Sequence, residues 1–234
     1  MHVHLVDGTY ELYRQHYGQA SKHSQPPPFA GTIGVLTSTI QLLQDGATHI
    51  GVATDHVIES FRNDLYSGYK TSEGMEPVLL EQIPILEDAL RALGVTVWAM
   101  EKYEADDALA SAVRVACEDH TVHKVFVLTP DKDLGQVVQG KRVVQMDRRN
   151  NVIIDEDAVR EKFGVGPSSI ADYLGLVGDS ADGFPGLQGW GAKSASTVLA
   201  KYGPIDSIPE NHAQWVRDGV TVRGAEKLAT TLRT

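Results

Sequence analysis

The sequence predicts an α/β fold with a central, mostly parallel twisted sheet, followed by a smaller helical unit. Short apolar runs that end at Asp7, Asp55 and Asp131 are typical of buried parallel strands. Segments with apolar residues at helical spacing alternate with these runs. From Asp155 onward the pattern is helical and interrupted by glycines. We therefore predict an α/β core over residues 1–155 and a helical region over 156–234.

The size and composition fit this organisation. The 234 residues, of which 42% are hydrophobic, suit one α/β domain plus a smaller unit. No apolar run approaches the ~20 residues that span a bilayer, and the N-terminus lacks a secretory pattern. The single cysteine, Cys117, excludes an internal disulfide and fits a reducing compartment. We expect a cytoplasmic protein without a membrane partner, and we expect a monomer because no pattern indicates a dimer interface.

The first half of the chain follows the strand–helix alternation. A strand over Val3–Val6 precedes a helix and a flexible, proline-rich stretch at Ser24–Pro28. A helix over Gly34–Asp45 leads to the strand that ends at Asp55. The segment Phe61–Pro77 has mixed charge and no clear period, which favours a loop or a short arch.

A long helix, a strand and a second helix follow. The apolar spacing predicts a helix over Val78–Leu93, with a kink or break at Pro84. A strand over Val95–Trp98 and a helix over Glu104–Glu118 come next. The last predicted elements are a hairpin of Val143–Met146 with Val152–Ile154, and helices over Glu156–Phe163 (capped by Asp155), Ser168–Val177 and Ala192–Tyr202.

Nine carboxylates stand at the ends of these elements and carry the functional signal. Acids that follow parallel strands converge in the crevice at the carboxyl ends of the sheet. Converging carboxylates repel one another unless a cation lies between them, and hard divalent cations with oxygen ligands fit that position. The nine are Asp7, Asp55, Glu104, Asp106, Asp107, Asp131, Asp133, Asp179 and Asp182.

Each acidic pair has a simpler explanation when taken alone. Acids in the first turn of the helix at Glu104 are favoured by the helix dipole. The other pairs fit an ordinary turn or a helix cap. Their number favours a different interpretation, since two-metal sites, which clamp the attacking and leaving oxygens of a phosphoryl displacement, need many carboxylates.

The net charge of −10 neither supports nor excludes a nucleic-acid partner. Removing the nine clustered acids leaves 22 Asp and Glu against 21 Lys and Arg. Two divalent cations would offset about half of the charge of the cluster.

Cations and a glycine-rich turn supply candidate phosphate contacts. Arg62 and Lys70 follow Asp55 closely and are predicted to contact a scissile phosphate, although solvated loop cations are the simpler alternative. The turn before the helix at Ala192 allows backbone N–H groups to approach a DNA phosphate, although a plain helix–turn–helix connection is the alternative. The predicted DNA-binding residues are Gly186, Gly189, Gly191, Lys193 and Ser194.

Five ordered blocks together resemble the structure-specific 5′-nuclease family, which comprises flap endonucleases and the 5′-3′ exonuclease domain of bacterial family A DNA polymerases. The similarity runs from residue 1 to about 205. Its blocks are Val6-Asp7-Gly8 with Tyr13-Arg14, Asp55 through Phe61-Arg62 to Tyr69-Lys70, Tyr103 to Asp107, Asp131 to Leu134, and Ala171 to Gly186.

The resemblance implies a PIN-like core with an arch at about 61–80 and two Mg²⁺ or Mn²⁺ ions. It also implies a helix–three-turn–helix unit at about 160–203 that binds duplex DNA and in the family often a K⁺ ion. By position, Asp133, Asp179 and Asp182 resemble the ligands of the second metal, and the other six acids those of the first. The implied activity is that of a metal-dependent 5′-3′ exonuclease and flap endonuclease of replication and repair, and Asp107→Ala is expected to abolish cleavage.

Three features depart from the family pattern. The arch residues 71–76 lack the usual basic side chains, which puts threading of a 5′ strand in doubt. Gly183 stands where the family usually has Asn. The sequence ends soon after the helical unit, whereas relatives carry further helices, which fits a truncated or minimal form or a piece of a longer protein. Without a polymerase domain, it is expected to act as a standalone nuclease.

Two other functions remain open from the sequence. A PIN-type ribonuclease fits the core acids but does not account for the glycine-rich unit after residue 155. A non-catalytic DNA-structure-binding protein would be signalled by lost acids, and all nine are present.

Overall fold

The computed structural model describes residues 1–20 and 27–233, within which six strands form one sheet. The strands are β1 (His2–Asp7), β2 (His49–Asp55), β3 (Thr96–Met100), β4 (Lys124–Leu128), β5 (Val143–Asp147) and β6 (Val152–Ile154). Their order is β3-β2-β1-β4-β5-β6; the first five run parallel, and β6 is antiparallel to β5. The predicted mostly parallel sheet and the terminal hairpin are confirmed.

Helices cover both faces of the sheet and form the C-terminal unit. Over the same described ranges they are α1 (Gly8–Ala20), α2 (Ala30–Gln44), α3 (Phe61–Leu65), α4 (Pro77–Leu80), α5 (Gln82–Ala92), α6 (Ala105–Glu118), α7 (Glu156–Phe163), α8 (Ile170–Val177), α9 (Ala192–Tyr202), α10 (His212–Arg217) and α11 (Ala225–Thr231). Of the predicted proline-rich stretch, residues 24–26 lie outside the described residues. None of the helices in the described ranges is both long and apolar enough to cross a membrane.

Two sequence predictions about the region before β3 have different outcomes. The helix predicted over Val78–Leu93 is interrupted at Glu81, because Pro84 has no N–H to bond to the carbonyl of Leu80. The predicted break is therefore confirmed. The expectation of a segment without regular structure from Phe61 is wrong for α3, since Ser60 caps that helix by accepting from the N–H of Arg62.

The alternation of side chains along β1 builds two cores, one on each face of the sheet. Val6 faces α1, α2 and α5, where it packs with Leu12, Val35 and Leu86. Leu5 faces the opposite side and packs against Leu109 of α6. This three-layer arrangement leaves the carboxyl ends of the strands open. The strand order reverses between β1 and β4, and the crevice at such a switch point is the usual ligand site of these sheets.

The C-terminal helices have a core of their own. Trp215 is fully buried there, packs against Trp190 with the ring centroids 6.1 Å apart, and donates its indole N–H to the carbonyl of Pro209. Asp155 caps α7 by accepting from the N–H of Ala158, as predicted. A 3₁₀ helix over Asp133–Val137 contacts α8 and joins this unit to the crevice.

Candidate metal centre

Five carboxylates line a cavity of about 300 Å³ at the open edge of the sheet. Asp7 ends β1, Asp55 ends β2, and Asp106 lies in the first turn of α6. Asp131, which follows β4 in the sequence, and Glu104 complete the lining of the cavity. Five of the six acids predicted for the first metal group therefore converge, as parallel strand ends require.

Hydrogen bonds from the surrounding backbone hold these acids in place. Asp7 accepts from the N–H of Tyr10 at 2.8 Å and from the Thr129 hydroxyl at 3.1 Å. Asp55 accepts from the N–H of Ala105 at 2.7 Å, where α6 begins. Both carboxylates retain a free direction toward the cavity, which they line.

Burial and mutual repulsion disfavour the charged form of two acids in this group, Asp7 and Asp106. Burial raises the pKa of Asp7 to about 7, and the charges of Asp55 and Asp131 add to that effect. Burial also raises the pKa of Asp106, with further contributions from Asp7 and Asp131. Such a cluster offers the oxygen ligands that a divalent cation requires, and a cation bound there would remove the repulsion.

A second acidic group lies beside the first. Asp133, Asp179 and Asp182 offer carboxylate oxygens that lie within 4.8 Å of one another. Within the described part of the chain, one oxygen of Asp133, Oδ1, is buried without a hydrogen-bond partner. Burial together with Asp131 raises the pKa of this carboxyl to about 7. The N–H of Asp133 donates to Asp131 at 3.0 Å, so the two groups are adjacent. This unpartnered oxygen fits a cation at the second group as well.

Lys70 connects the two groups. Its ammonium lies 3.0 Å from Glu104 and 2.9 Å from Asp182. Burial opposes its charge, but the hydrogen bond to Asp182 and the charge of Glu104 outweigh burial and raise the pKa of Lys70. Glu104 also accepts from the hydroxyls of Ser60 at 2.7 Å and Tyr69 at 3.2 Å.

The structure does not bring Asp107 into either group. Its carboxylate accepts two hydrogen bonds from the Arg62 guanidinium, at 2.8 and 2.9 Å, and one from the N–H of Glu104 at 2.9 Å. Although burial opposes ionisation, the bond from Arg62 lowers the pKa of Asp107. Asp107 thus holds Arg62 at the rim of the site, 3.4 Å from Glu104.

The predicted DNA-binding residues fall into two places. Gly189, Gly191, Lys193 and Ser194 line one open cleft of about 950 Å³. Gly186 is not among its lining residues. It has φ +68°, and a side chain there would lie 2.4 Å from the backbone nitrogen of Gly178, so this glycine permits the crossing of two chain segments.

Sequence reasoning did not assign several residues of the site. Ser60 and Thr129 orient carboxylates, and Lys132 lies 2.8 Å from Asp179. All three stand directly beside the acid motifs in sequence, and the capping position of Ser60 was a usable signal. Arg223 and Lys227 lie about thirty residues after Lys193 in a stretch with no basic run, yet they line the same cleft.

The chain matches the family described as "5'-3' exonuclease, N-terminal resolvase-like domain" over residues 2–164, and "5'-3' exonuclease, C-terminal SAM fold" over 165–234. The chain belongs to the 5′-3′ exonuclease family. This result confirms the α/β fold class with its helical unit, the family and the nuclease class predicted from the sequence. The family boundary falls nine residues after the predicted one, and the boundary at 155 stays a prediction.

Relatives of known name agree with this membership. A 5′-3′ exonuclease of Aquifex aeolicus is 31% identical over 221 residues, which cover 92% of this chain and 75% of that protein. A thermostable DNA polymerase I of Thermus aquaticus is 30% identical, with 89% of this chain and 25% of that protein covered. The chain thus spans about a quarter of the polymerases that it matches.

Solved structures share the fold. The T5 5′-exonuclease with bound zinc has a TM-score of 0.76 at 19% identity, covering 99% of this chain and 84% of that one. The T5 flap endonuclease in a pseudo-enzyme–product complex with DNA and metal ions has a TM-score of 0.74 at 21% identity, with the same coverage.

Proposed function

We propose that this chain is a metal-dependent 5′-3′ exonuclease and flap endonuclease that hydrolyses phosphodiester bonds in branched or 5′-ended DNA. The observation that carries the proposal is the pair of adjacent acidic groups at the open sheet edge, with the pKa values of Asp7 and Asp133 raised to about 7. Family membership supports the same reaction class.

Two divalent cations, Mg²⁺ or Mn²⁺, complete the proposed site. Asp7, Asp55, Asp106 and Asp131, with Glu104, would hold the first, and Asp133, Asp179 and Asp182 the second. When bound, such ions activate water and neutralise charge that develops on a phosphate. Asp107 stays in the proposal as the partner of Arg62.

The cations of the chain orient the substrate. Arg62 presents a planar guanidinium that is suited to bidentate contact with phosphate, and Asp107 fixes its direction. Lys70, fixed between Glu104 and Asp182, supplies a point charge between the acidic groups. Together they place a phosphodiester beside the carboxylates, which is the positioning that phosphoryl transfer requires.

The glycine-rich turn, with Gly189, Gly191, Lys193 and Ser194, holds the duplex through its backbone phosphates in this proposal. The proposal also includes a K⁺ ion at the turn, a monomeric state and a cytoplasmic location. The single cysteine supports the cytoplasmic location, because disulfides are rare in that compartment. Size-exclusion chromatography with light scattering tests the monomer.

The test is cleavage of a 5′-labelled flap duplex and of a labelled single-stranded RNA of equal length, each with Mg²⁺, Mn²⁺ or EDTA. The proposal predicts metal-dependent release of a short labelled DNA fragment and little RNA cleavage. Preferential RNA cleavage would favour the PIN-type ribonuclease. Binding of the flap without cleavage in any metal would favour a DNA-structure-binding protein.

A further inference from the structure

The cleft beside the glycine-rich turn has a second wall that neither the sequence motifs nor the family match assigns. One wall is the turn at Gly189 and the start of α9, with Lys193. The other is the segment Thr221–Gly224 and the start of α11, with Arg223 and Lys227. The cleft between them has a volume of about 950 Å³.

Three cations line this cleft without acidic partners. Within residues 1–20 and 27–233, neither Lys193, Arg223 nor Lys227 forms an ion pair, and all three side chains are exposed. No Asp or Glu is among the lining residues. In a chain of net charge −10, the charged side chains among the described lining residues of this cleft are all positive. Such a surface favours a polyanion.

The two walls are fixed relative to each other. Trp190 belongs to the glycine-rich turn of the first wall. It donates its indole N–H to the Thr231 hydroxyl at 3.1 Å and to the Leu228 carbonyl at 3.3 Å. The ring is 7% exposed and packs on Trp215. Since the first turn is thereby anchored to α11, the two walls of the cleft are preformed.

The two walls also share a sequence pattern. Residues 186–192 and 219–225 both read Gly-x₄-Gly-Ala, and each leads into a helix. Gly186 and Gly219 both have positive φ, +68° and +83°. The residues between these positions differ in the two segments.

We propose that Arg223 and Lys227, which lie opposite Lys193, form a second phosphate contact that binds the backbone of one strand of the bound duplex. This inference rests on the proposed function for the identity of the polyanion, but not on cleavage. The hydroxyl of Thr221 lines the same cleft and offers a neutral donor to a phosphate oxygen, whereas the Thr197 hydroxyl donates to the carbonyl of Lys193 at 2.7 Å. No base-reading group is needed, so the contact is independent of DNA sequence.

The test compares Arg223→Gln/Lys227→Gln with a matched double variant, Lys141→Gln/Lys201→Gln. The control removes two exposed cations that lie outside the cleft and form no ion pair in the described part of the chain. Affinity for a blunt duplex is measured in EDTA over a range of salt concentrations. EDTA separates this test from the nuclease proposal, since binding is read without cleavage.

The cleft variant is expected to bind roughly tenfold more weakly near 0.1 M salt, with the slope of log K against log salt reduced by about two. The control should match the unaltered protein in slope, and both variants should keep its unfolding temperature. Equal slopes for the two variants would overturn the proposal. The proposal would also be overturned if millimolar inorganic phosphate displaced the bound duplex as well as unlabelled duplex does. That result would indicate a site for free anions.

Discussion

Lys70 and Asp182 are joined twice in this structure. The backbone N–H of Lys70 donates to the carbonyl of Asp182 at 3.0 Å, and the ammonium lies 2.9 Å from the Asp182 carboxylate. Because Lys70 belongs to the segment after β2 and Asp182 to the C-terminal unit, this pair aligns the two acidic groups. Gly183 makes the approach possible: a side chain there would lie 2.1 Å from the carbonyl oxygen of Gly68.

Gly183→Ala is therefore expected to slow cleavage roughly a hundredfold, since a displacement of about 1 Å at a catalytic group has that effect. Backbone strain at φ +75° should also destabilise the fold by about 1–3 kcal/mol. Gly46→Ala is the matched control, because Gly46 has φ +94° but open space where the side chain would lie. Equal loss of the single-turnover rate in both variants would contradict a role for the Gly183–Gly68 approach.

Asp106→Asn is expected to separate stability from activity. Removing this buried charge relieves the repulsion with Asp7 and Asp131, so the metal-free protein should unfold at a higher temperature. The rate of cleavage should fall by about a thousandfold or more, since several kcal/mol of charge stabilisation depend on the bound cation. Asp206→Asn, at an exposed acid, should change neither property. An Asp106→Asn protein that cleaves normally would remove Asp106 from the site.

Asp107 and Arg62 should behave as one unit. If Asp107 only holds Arg62, then Arg62→Ala/Asp107→Asn will cleave no more slowly than Arg62→Ala alone, and divalent-ion affinity will be unchanged in Asp107→Asn. A direct ligand role, as the sequence predicted, requires lower metal affinity and an additive loss of rate. Calorimetric titration with Mn²⁺ and single-turnover kinetics distinguish the two.

The stability of the metal-free protein should fall as the pH rises from about 4 to 7. Asp7 and Asp133 have folded pKa values of about 7, above their ordinary value of 3.8, so the folded state binds more protons than the unfolded state in this window. Glu104 and Asp107 have lowered pKa values, so they make stability rise with pH, but only at lower pH. Thermal unfolding between pH 5 and 8 measures the effect, and millimolar Mn²⁺ should reverse it most strongly at pH 8. A metal-free protein with a flat profile would contradict the repulsion.

The sequence was sufficient for the parts of the fold that depend on local pattern. The strand ends at Asp7 and Asp55, the helix Ala192–Tyr202 and its glycine stop follow from apolar spacing and capping. The convergence of five acids in one cavity follows from parallel strands in one sheet.

Other features depend on packing that a one-dimensional pattern does not contain. Asp107 was assigned with its neighbours in the first turn of α6, but the direction of each side chain is set by what faces the helix, and Arg62 faces Asp107. Likewise, the proximity of Arg223 to Lys193 arises from the anchoring of Trp190 on α11, a contact across about forty residues.

The central claim, that both acidic groups hold the divalent cations of one nuclease centre, is tested most directly by single-turnover cleavage of a 5′-labelled flap duplex. The proteins compared are the unaltered chain, Asp106→Asn and Asp179→Asn, each with Mg²⁺ and with EDTA. We predict release of a short labelled fragment only by the unaltered chain with Mg²⁺, while both variants still bind the duplex. Cleavage that persists in EDTA, cleavage by either variant at the rate of the unaltered chain, or no cleavage by the unaltered chain would contradict this account.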